Sequence, residues 1–336
     1  MTNLLLALSA ALLLQPAPVD KPKDAPSTTE PAPTPKPVEP PNEKKATEKP
    51  AEAAIPGGAI AEYVDLSTRA EFATGFRFAE GPLWMGDRLL VCDLGGDAMY
   101  TIQPGKEKEV YRQPSESAAG AARDIRGRLF VTHFRGKLTR QEKGKDAQVV
   151  AEACGEVKFN RLNDVALRSD GVAYFTDFGG QEGSKGLFMY KEGKDGKGTV
   201  TLLDADYAQA NGVCLSPSEN VLYVAEMGKN RIKSYTIKPD GTLSESRVFA
   251  DLSSYKARGR TDGLKCDPVG NVWTTGPGGI FILGGTGDVL GHLGVSPAPS
   301  NLAFGGPEGH TLYITAGTKV ISYTILPRDG GEESGR

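Results

Sequence analysis

Six short segments of the sequence share one pattern: a turn residue precedes an apolar strand, and in five of the six that residue carries a side-chain oxygen. The turn residues are Glu80, Ala119, Asn163, Asn211, Asp262 and Asn301. Two carboxylates and three amides suit a hard cation if they meet at one point. Calcium fits most readily, with zinc, manganese or magnesium as alternatives. A single Asn-Gly or Asp-Gly pair is more often a turn, but Glu is a poor turn residue, so Glu80 favours a metal site.

The same six segments predict the architecture that would bring these residues together. Each continues through a strand, a polar turn and a second strand, as in EGPLWMGDRLLVCD (80–93). The second strands end at positions 93, 133, 177, 226, 276 and 316, about 45 residues apart, which is typical of four-stranded propeller blades. We therefore predict an all-β, six-bladed β-propeller with four antiparallel strands per blade. Residues 61–74 would supply the outer strand of the last blade and close the ring.

Propeller geometry also gathers a second set of polar residues. The first strand of each blade lines the central channel, and the second strand returns to the face where the first begins. The strand ends bring Asp93, His133, Asp177 and Glu226 to that face. We predict that these four residues rim a pocket above the cation, in which His133, Asp177 and Glu226 bind the substrate. The alternative for each is a structural strand-end residue, and a single histidine makes no zinc site.

Composition divides the chain into a leader and a body. All 42 glycines follow position 56, whereas 12 of the 23 prolines lie within 16–56. An apolar run of about 11 residues at 4–14 is too short to span a bilayer and resembles the core of a secretory signal. We predict four regions: a signal-like segment (1–18), a disordered Pro/Lys/Glu-rich linker (19–60), the propeller (61–328) and a disordered tail (329–336). The expected location is exported, either periplasmic or tethered at the cell surface, with no membrane span in the mature form.

The net charge, the absence of several known motifs and the spacing of the cysteines disfavour several classes of function. A net charge of −3 without a basic patch disfavours nucleic acid as a partner. The chain lacks the GxSxG, GxGxxG and HExxH motifs. Its four cysteines form no CxxC pair and are Cys92, Cys154, Cys214 and Cys266. An even number permits two disulfides in an oxidising compartment, but most of them lie in strand-like runs, so we expect buried free thiols.

Several motifs at blade spacing resemble the senescence-marker-protein/gluconolactonase (regucalcin-like) family of calcium-dependent six-bladed propellers. The resemblance covers about residues 62–326. The motifs that carry it are FAEGPLW (78–84), FNRLNDV (159–165), YFTD (174–177), ANGVCLSPSENVLYVAE (210–226), TDGLKCDPVGNVW (261–273) and NLAFGGPEGHTLYITA (301–316).

The resemblance implies that Glu80, Asn211 and Asp262 ligate the metal, with Asn163 a fourth ligand or a neighbour through water. It implies that Arg161 contacts substrate oxygens and that Asp262 is the general base. The implied activity is calcium-dependent hydrolysis of a small lactone, such as a sugar lactone, by water attacking a metal-polarised carbonyl. Asn163 would then also face the substrate. Two alternatives stay open: an organophosphate hydrolase with the same metal site, and a non-enzymatic exported binding or scaffold propeller with structural calcium.

Overall fold

The computed structural model describes residues 59–180, 183–194 and 196–327. The predicted signal-like segment, nearly all of the predicted linker and the predicted tail lie outside these residues. Within the described ranges no helix is long and apolar enough to cross a membrane. The helical segments found there are short 3-10 turns at Ile60–Glu62, Met227–Lys229 and Pro307–Gly309.

Strands dominate the rest of the described chain, which forms six four-stranded antiparallel sheets and one two-stranded hairpin. The first strand, β1 (Val64–Thr74), joins the last blade. Blades 1 and 2 contain, in chain order, β2 (Ala79–Trp84), β3 (Leu89–Asp93), β4 (Ala98–Ile102), β5 (Glu109–Arg112), β6 (Ala118–Arg123), β7 (Leu129–His133), β8 (Lys137–Gln141) and β9 (Gln148–Ala151). The hairpin of β10 (Ala153–Cys154) and β11 (Val157–Lys158) follows.

The remaining blades repeat this arrangement. Blades 3 and 4 contain β12 (Leu162–Leu167), β13 (Ala173–Asp177), β14 (Gly186–Glu192), β15 (Gly198–Asp204), β16 (Ala210–Leu215), β17 (Val221–Glu226), β18 (Arg231–Thr236) and β19 (Arg247–Asp251). Blades 5 and 6 contain β20 (Leu264–Cys266), β21 (Val272–Gly276), β22 (Gly279–Leu283), β23 (Val289–Gly294), β24 (Asn301–Gly305), β25 (Thr311–Ala316) and β26 (Lys319–Ile325). Every second strand ends at its predicted position, which confirms the six-bladed, all-β prediction.

The six innermost strands form a closed ring. The first strand of each blade packs against that of the next, and β24 packs against β2. The outer strand of blade 6 comes from the other end of the chain, because β1 pairs with β26 from Val64↔Ile325 to Thr74↔Lys319. This pairing confirms the predicted closure, and it covers a sheet edge that would otherwise be exposed.

Apolar packing lies between the blades rather than in one central core. Six apolar clusters fill the spaces between neighbouring blades. Between blades 2 and 3, for example, the rings of Phe159, Phe175 and Phe188 lie with centroids 5.1–5.6 Å apart. Because each sheet is covered on both faces, its inner strands are apolar almost throughout. The central channel is thus left to the backbone and to the polar residues at the strand ends.

Candidate functional site

The five oxygen-bearing turn residues lie at the same end of the innermost strands, and we call them the inner ring: Glu80, Asn163, Asn211, Asp262 and Asn301. A β-bulge lies at or directly after this position in blades 1, 3 and 4, where the register shifts between Glu80/Leu83, Leu162/Val165 and Ala210/Val213. Bulges re-aim side chains and are common beside functional sites. The innermost strands therefore direct these side chains differently from the alternating residues that follow.

Glycine lets the ring close tightly. A Cβ on Gly81 would lie 2.0 Å from the Ala119 carbonyl oxygen, and one on Gly212 would lie 2.3 Å from the Asp262 carbonyl oxygen. Each of these glycines directly follows an inner-ring residue, so a side chain there would push adjacent blades apart. The Gly212 N–H instead donates to the Asp262 carbonyl over 3.0 Å. The Glu80-Gly81 and Asn211-Gly212 pairs thus serve the packing of the ring as well as the turns.

Glu80 is buried at the start of blade 1. Its Oε2 accepts hydrogen bonds from the Gly81 N–H (2.7 Å) and from Asn301 Nδ2 (3.1 Å). Burial nevertheless raises the pKa of Glu80 to about 7, and the nearby Asp164 carboxylate adds to the rise. These two hydrogen bonds therefore do not compensate for the loss of water around the ionised carboxylate.

Asn211 and Asp262 come from neighbouring blades and face each other. Burial raises the pKa of Asp262 well above its ordinary value, the charges of Glu80 and Asp164 raise it further, and the Asn211 side chain opposes the rise. The Asn211 Oδ1 is buried without a hydrogen-bond partner. An unpartnered buried oxygen normally costs about 1–3 kcal/mol. The Asn211 side chain adjoins Asp262, whose surroundings include two further carboxylates, Glu80 and Asp164.

Asp164 is a third buried carboxylate in the channel that the sequence analysis did not single out. Its oxygens accept hydrogen bonds from the N–H groups of Val165 (2.9 Å) and Val213 (3.3 Å). Lys265 Nζ lies 3.6 Å from Asp164 Oδ2. The repeat did contain a signal, because Asp164 occupies the position that glycine fills after Glu80, Asn211 and Asp262.

The carbonyls of two inner-ring residues are held by threonines of the preceding blade. Thr132 Oγ1 donates to the Asn163 carbonyl over 2.7 Å, and Thr176 Oγ1 donates to the Asn211 carbonyl over 2.5 Å. Both threonines are fully buried. These hydrogen bonds fix the backbone from which the Asn163 and Asn211 side chains project.

The second-strand ends, which we call the outer ring (Asp93, His133, Asp177 and Glu226), are all buried. The structure does not direct these side chains towards the channel mouth. Asp93 accepts hydrogen bonds from the N–H groups of Arg77 (3.0 Å) and Phe78 (2.9 Å), immediately before β2.

Asp177 does the same before β12, where it accepts from the N–H groups of Asn160 (2.8 Å) and Arg161 (2.9 Å). Glu226 accepts from the Ala208 N–H over 2.9 Å, just before β16, and pairs with Lys229 and Arg231.

His133 follows the same rule. Its Nδ1 lies 3.2 Å from the Glu116 carbonyl, just before β6, and its Nε2 lies 2.9 Å from Thr139 Oγ1. Each outer-ring residue thus holds the segment that leads into the innermost strand of its own blade. The polar atoms of His133, Asp177 and Glu226 are occupied by protein partners, and substrate contact by these three residues stays a prediction.

Arg161 lies at the entrance to blade 3, between the outer and inner rings. Its guanidinium carbon lies 5.7 Å from the centroid of the Phe134 ring and 5.5 Å from that of Phe178. Two aromatic faces therefore hold the Arg161 guanidinium by cation–π contacts. Neither ring was predicted from the sequence, because each lies one residue past the end of a second strand and carries no motif of its own.

The donor set of the inner ring fits a hard divalent cation. Glu80, Asn163, Asn211 and Asp262 offer only oxygen ligands, and the Asn211 oxygen lacks a protein partner. No cluster of three or more His, Cys, Asp or Glu that could hold a metal occurs within the described ranges. Two of the four candidate ligands are asparagines, so this set depends on amide oxygens as well as carboxylates.

Comparison with known proteins agrees with the propeller fold. Residues 78–318 match the family model described as "SMP-30/Gluconolactonase/LRE-like region". The chain belongs to this family. It is 28% identical to a gluconolactonase of Zymomonas mobilis over 298 residues, which cover 77% of this chain and 82% of that protein.

Solved structures show the same propeller. A putative gluconolactonase superposes with a TM-score of 0.71 at 27% identity, covering 80% of this chain and 97% of the other. A calcium-binding regucalcin from Agrobacterium tumefaciens has a TM-score of 0.65 at 20% identity, with coverages of 78% and 95%. At that identity the regucalcin supports the fold alone. The family and its lactonase relatives support an enzyme that hydrolyses lactones.

Proposed function

We propose that this protein is a calcium-dependent hydrolase of a small sugar lactone. The observation that carries the proposal is the unpartnered, buried Asn211 Oδ1 on a side chain next to Asp262, whose carboxyl group also lies near Glu80 and Asp164. Three ionised carboxylates with Lys265 as the nearby cation would leave two negative charges in a desolvated channel. A divalent cation would balance these two charges and would bind the unpartnered Asn211 oxygen. Without a cation, burial drives Glu80 and Asp262 towards their protonated forms.

Glu80, Asn211 and Asp262 would hold the cation, with Asn163 as the fourth ligand. When bound, the cation would supply Lewis acidity towards the lactone carbonyl oxygen. Glu80 and Asn211 are buried, whereas Asp262 and Asn163 are partly exposed. The partly exposed pair would therefore face both the cation and the substrate.

The chain's own residues would carry the proton transfer and the orientation of the substrate. Asp262 would accept a proton from the water that attacks the lactone carbonyl. Such a base acts largely by position. Arg161 would donate hydrogen bonds to the substrate's ring or hydroxyl oxygens, with its guanidinium plane fixed by Phe134 and Phe178. A polyhydroxy lactone offers several acceptors to such a fork of donors.

The test is an assay of glucono-lactone, a pentono-lactone and a fluorophosphate, each with added calcium and with a chelator. We expect lactone hydrolysis that chelation abolishes and that calcium restores. The Asp262→Asn variant should lose turnover, and Asp251→Asn, an exposed strand-end aspartate, is the matched control. Preferred turnover of the fluorophosphate would instead favour the organophosphatase alternative. Retained calcium binding without turnover of any substrate would favour a scaffold with structural calcium.

A further inference from the structure

Two cysteines that the proposed chemistry does not use lie in contact. The Sγ atoms of Cys214 and Cys266 lie 3.6 Å apart, although the residues are 52 positions apart in the chain. Cys214 belongs to β16 and Cys266 to β20, so the contact joins the innermost strands of blades 4 and 5. Both thiols are reduced in this structure.

The two thiols differ in their access to solvent. Cys214 is buried, whereas Cys266 is partly exposed and lines a cavity of about 590 Å³. The cavity lies at the far ends of the innermost strands, away from the inner ring, and its wall includes Trp84, Leu215 and Phe304. A small thiol reagent can therefore reach Cys266 without opening the propeller, and Cys214 stands directly behind it.

We propose that Cys214 and Cys266 form a reversible disulfide that links blades 4 and 5, made by exchange with a low-molecular-weight disulfide such as oxidised glutathione. This inference does not rest on the proposed lactonase activity. A partly exposed attacking cysteine with a buried partner within reach is the arrangement used for thiol–disulfide exchange. The sulfurs must approach from 3.6 Å to a bond of about 2.05 Å.

The exchange balances without a further oxidant. The Cys266 thiolate attacks one sulfur of glutathione disulfide and forms a mixed disulfide, and the first glutathione thiolate leaves. Cys214 then attacks the Cys266 sulfur and expels the second glutathione. The two protein thiols are oxidised, one external disulfide is reduced to two thiols, and the two protein thiol protons pass to the departing thiolates.

The bond would constrain the unfolded chain, because it closes a long loop. Cross-links of this span raise stability mainly by reducing the entropy of the unfolded state. For a domain of this size we expect Tm to rise by roughly 5 °C on oxidation. The link would also tie together β16, which carries Asn211, and β20, which begins two residues after Asp262.

The experiment incubates the folded, full-length protein in glutathione buffers of increasing oxidised fraction. Free thiols are then alkylated, and the cysteine-containing peptides are mapped by mass spectrometry. We expect a Cys214–Cys266 peptide, an intact mass lower by two hydrogen atoms, and the Tm rise, all reversed by reductant. In Cys214→Ser, we expect glutathione to remain attached to Cys266.

Cys154→Ser is the matched control and should change neither the cross-link nor the Tm rise. Full alkylation of both Cys214 and Cys266 after oxidation would overturn the proposal, as would a cross-link to another cysteine. A glutathione adduct that persists on Cys266 in the unmodified sequence would also overturn it. The mapping on the unmodified sequence decides the question even if a variant fails to fold.

Discussion

The inner and outer rings of polar residues look alike in the sequence and differ in what surrounds them. Both consist mainly of Asp, Glu and Asn at strand ends on one face of the propeller. Outer-ring carboxylates such as Asp177 accept hydrogen bonds from the backbone immediately before an innermost strand. The inner ring instead contains an amide oxygen without a partner and carboxylates whose pKa values are raised by burial. The supply of hydrogen-bond donors therefore separates a structural carboxylate from a candidate metal ligand.

The largest effect should come from neutralising an inner-ring ligand. We expect Asp262→Asn to weaken calcium binding by about 1,000-fold, equivalent to about 4 kcal/mol, because a charged ligand is removed from a desolvated site. Isothermal titration calorimetry of the folded variant measures this loss. Asp251→Asn should bind calcium normally, and an unchanged affinity in Asp262→Asn would remove Asp262 from the site.

A smaller effect should appear in the outer ring as acid sensitivity. Burial and the nearby Arg112 charge lower the pKa of His133 to about 4 from an ordinary 6.5, with Asp97 opposing. The Lys137–Glu116 ion pair lies beside the same segment. Because the folded pKa is lower, the unfolded chain binds the proton first, and this contribution to stability is full above pH 6.5 and falls as the pH drops towards 4. The loss is about 3 kcal/mol.

Denaturant unfolding between pH 7 and 4 checks this prediction. His133→Gln keeps hydrogen-bonding groups near Thr139 and the Glu116 carbonyl but cannot titrate, so its stability should decline less steeply with acid. His310→Gln, on a partly exposed turn, provides the comparison. Equal slopes for the original sequence and His133→Gln would contradict the assignment.

Neutralising an outer-ring carboxylate should lower the stability of the fold and leave calcium affinity nearly unchanged. We expect Asp177→Asn to lower the free energy of unfolding by about 2 kcal/mol, since several charge-assisted hydrogen bonds are weakened at a buried position. Calcium affinity should stay within about two-fold, equivalent to about 0.4 kcal/mol. Chemical denaturation and calorimetry on one sample separate the two quantities. A large loss of calcium affinity in a folded Asp177→Asn would erase the distinction between the rings.

The smallest effect should come from removing the Lys265 ammonium group, which lies in the channel near Asp164. Lys265 partly neutralises Asp164 and its neighbours, so Lys265→Met should tighten calcium binding by about five-fold, or about 1 kcal/mol. Lys256→Met, which removes an exposed lysine, is the matched control. Weaker calcium binding in Lys265→Met would show that the ammonium supports the site by packing or position rather than opposing the metal by charge.

Much of the fold could be predicted from the repeat. The second strands end at the expected residues because each blade needs the same strand–turn–strand unit. The turn residues mark where each unit begins in the sequence. The convergence of Glu80, Asn211 and Asp262 followed from their equivalent positions in the repeat. The hydrogen bonds of Asp177 and Glu226 to backbone N–H groups did not follow. A period of about 45 residues gives a residue's place on the disc but not the backbone donors near it.

The sequence by itself determined the number of blades, the closure by residues near 61–74 and the face on which the oxygen-bearing turn residues meet. Those features depend on local pattern and on the restricted geometry of packed sheets. Only the tertiary structure decided which carboxylates are satisfied, that Asp164 and Lys265 share the channel, and that Cys214 contacts Cys266. Such contacts join residues from different blades, and they depend on distances of a few ångströms that a one-dimensional repeat does not encode.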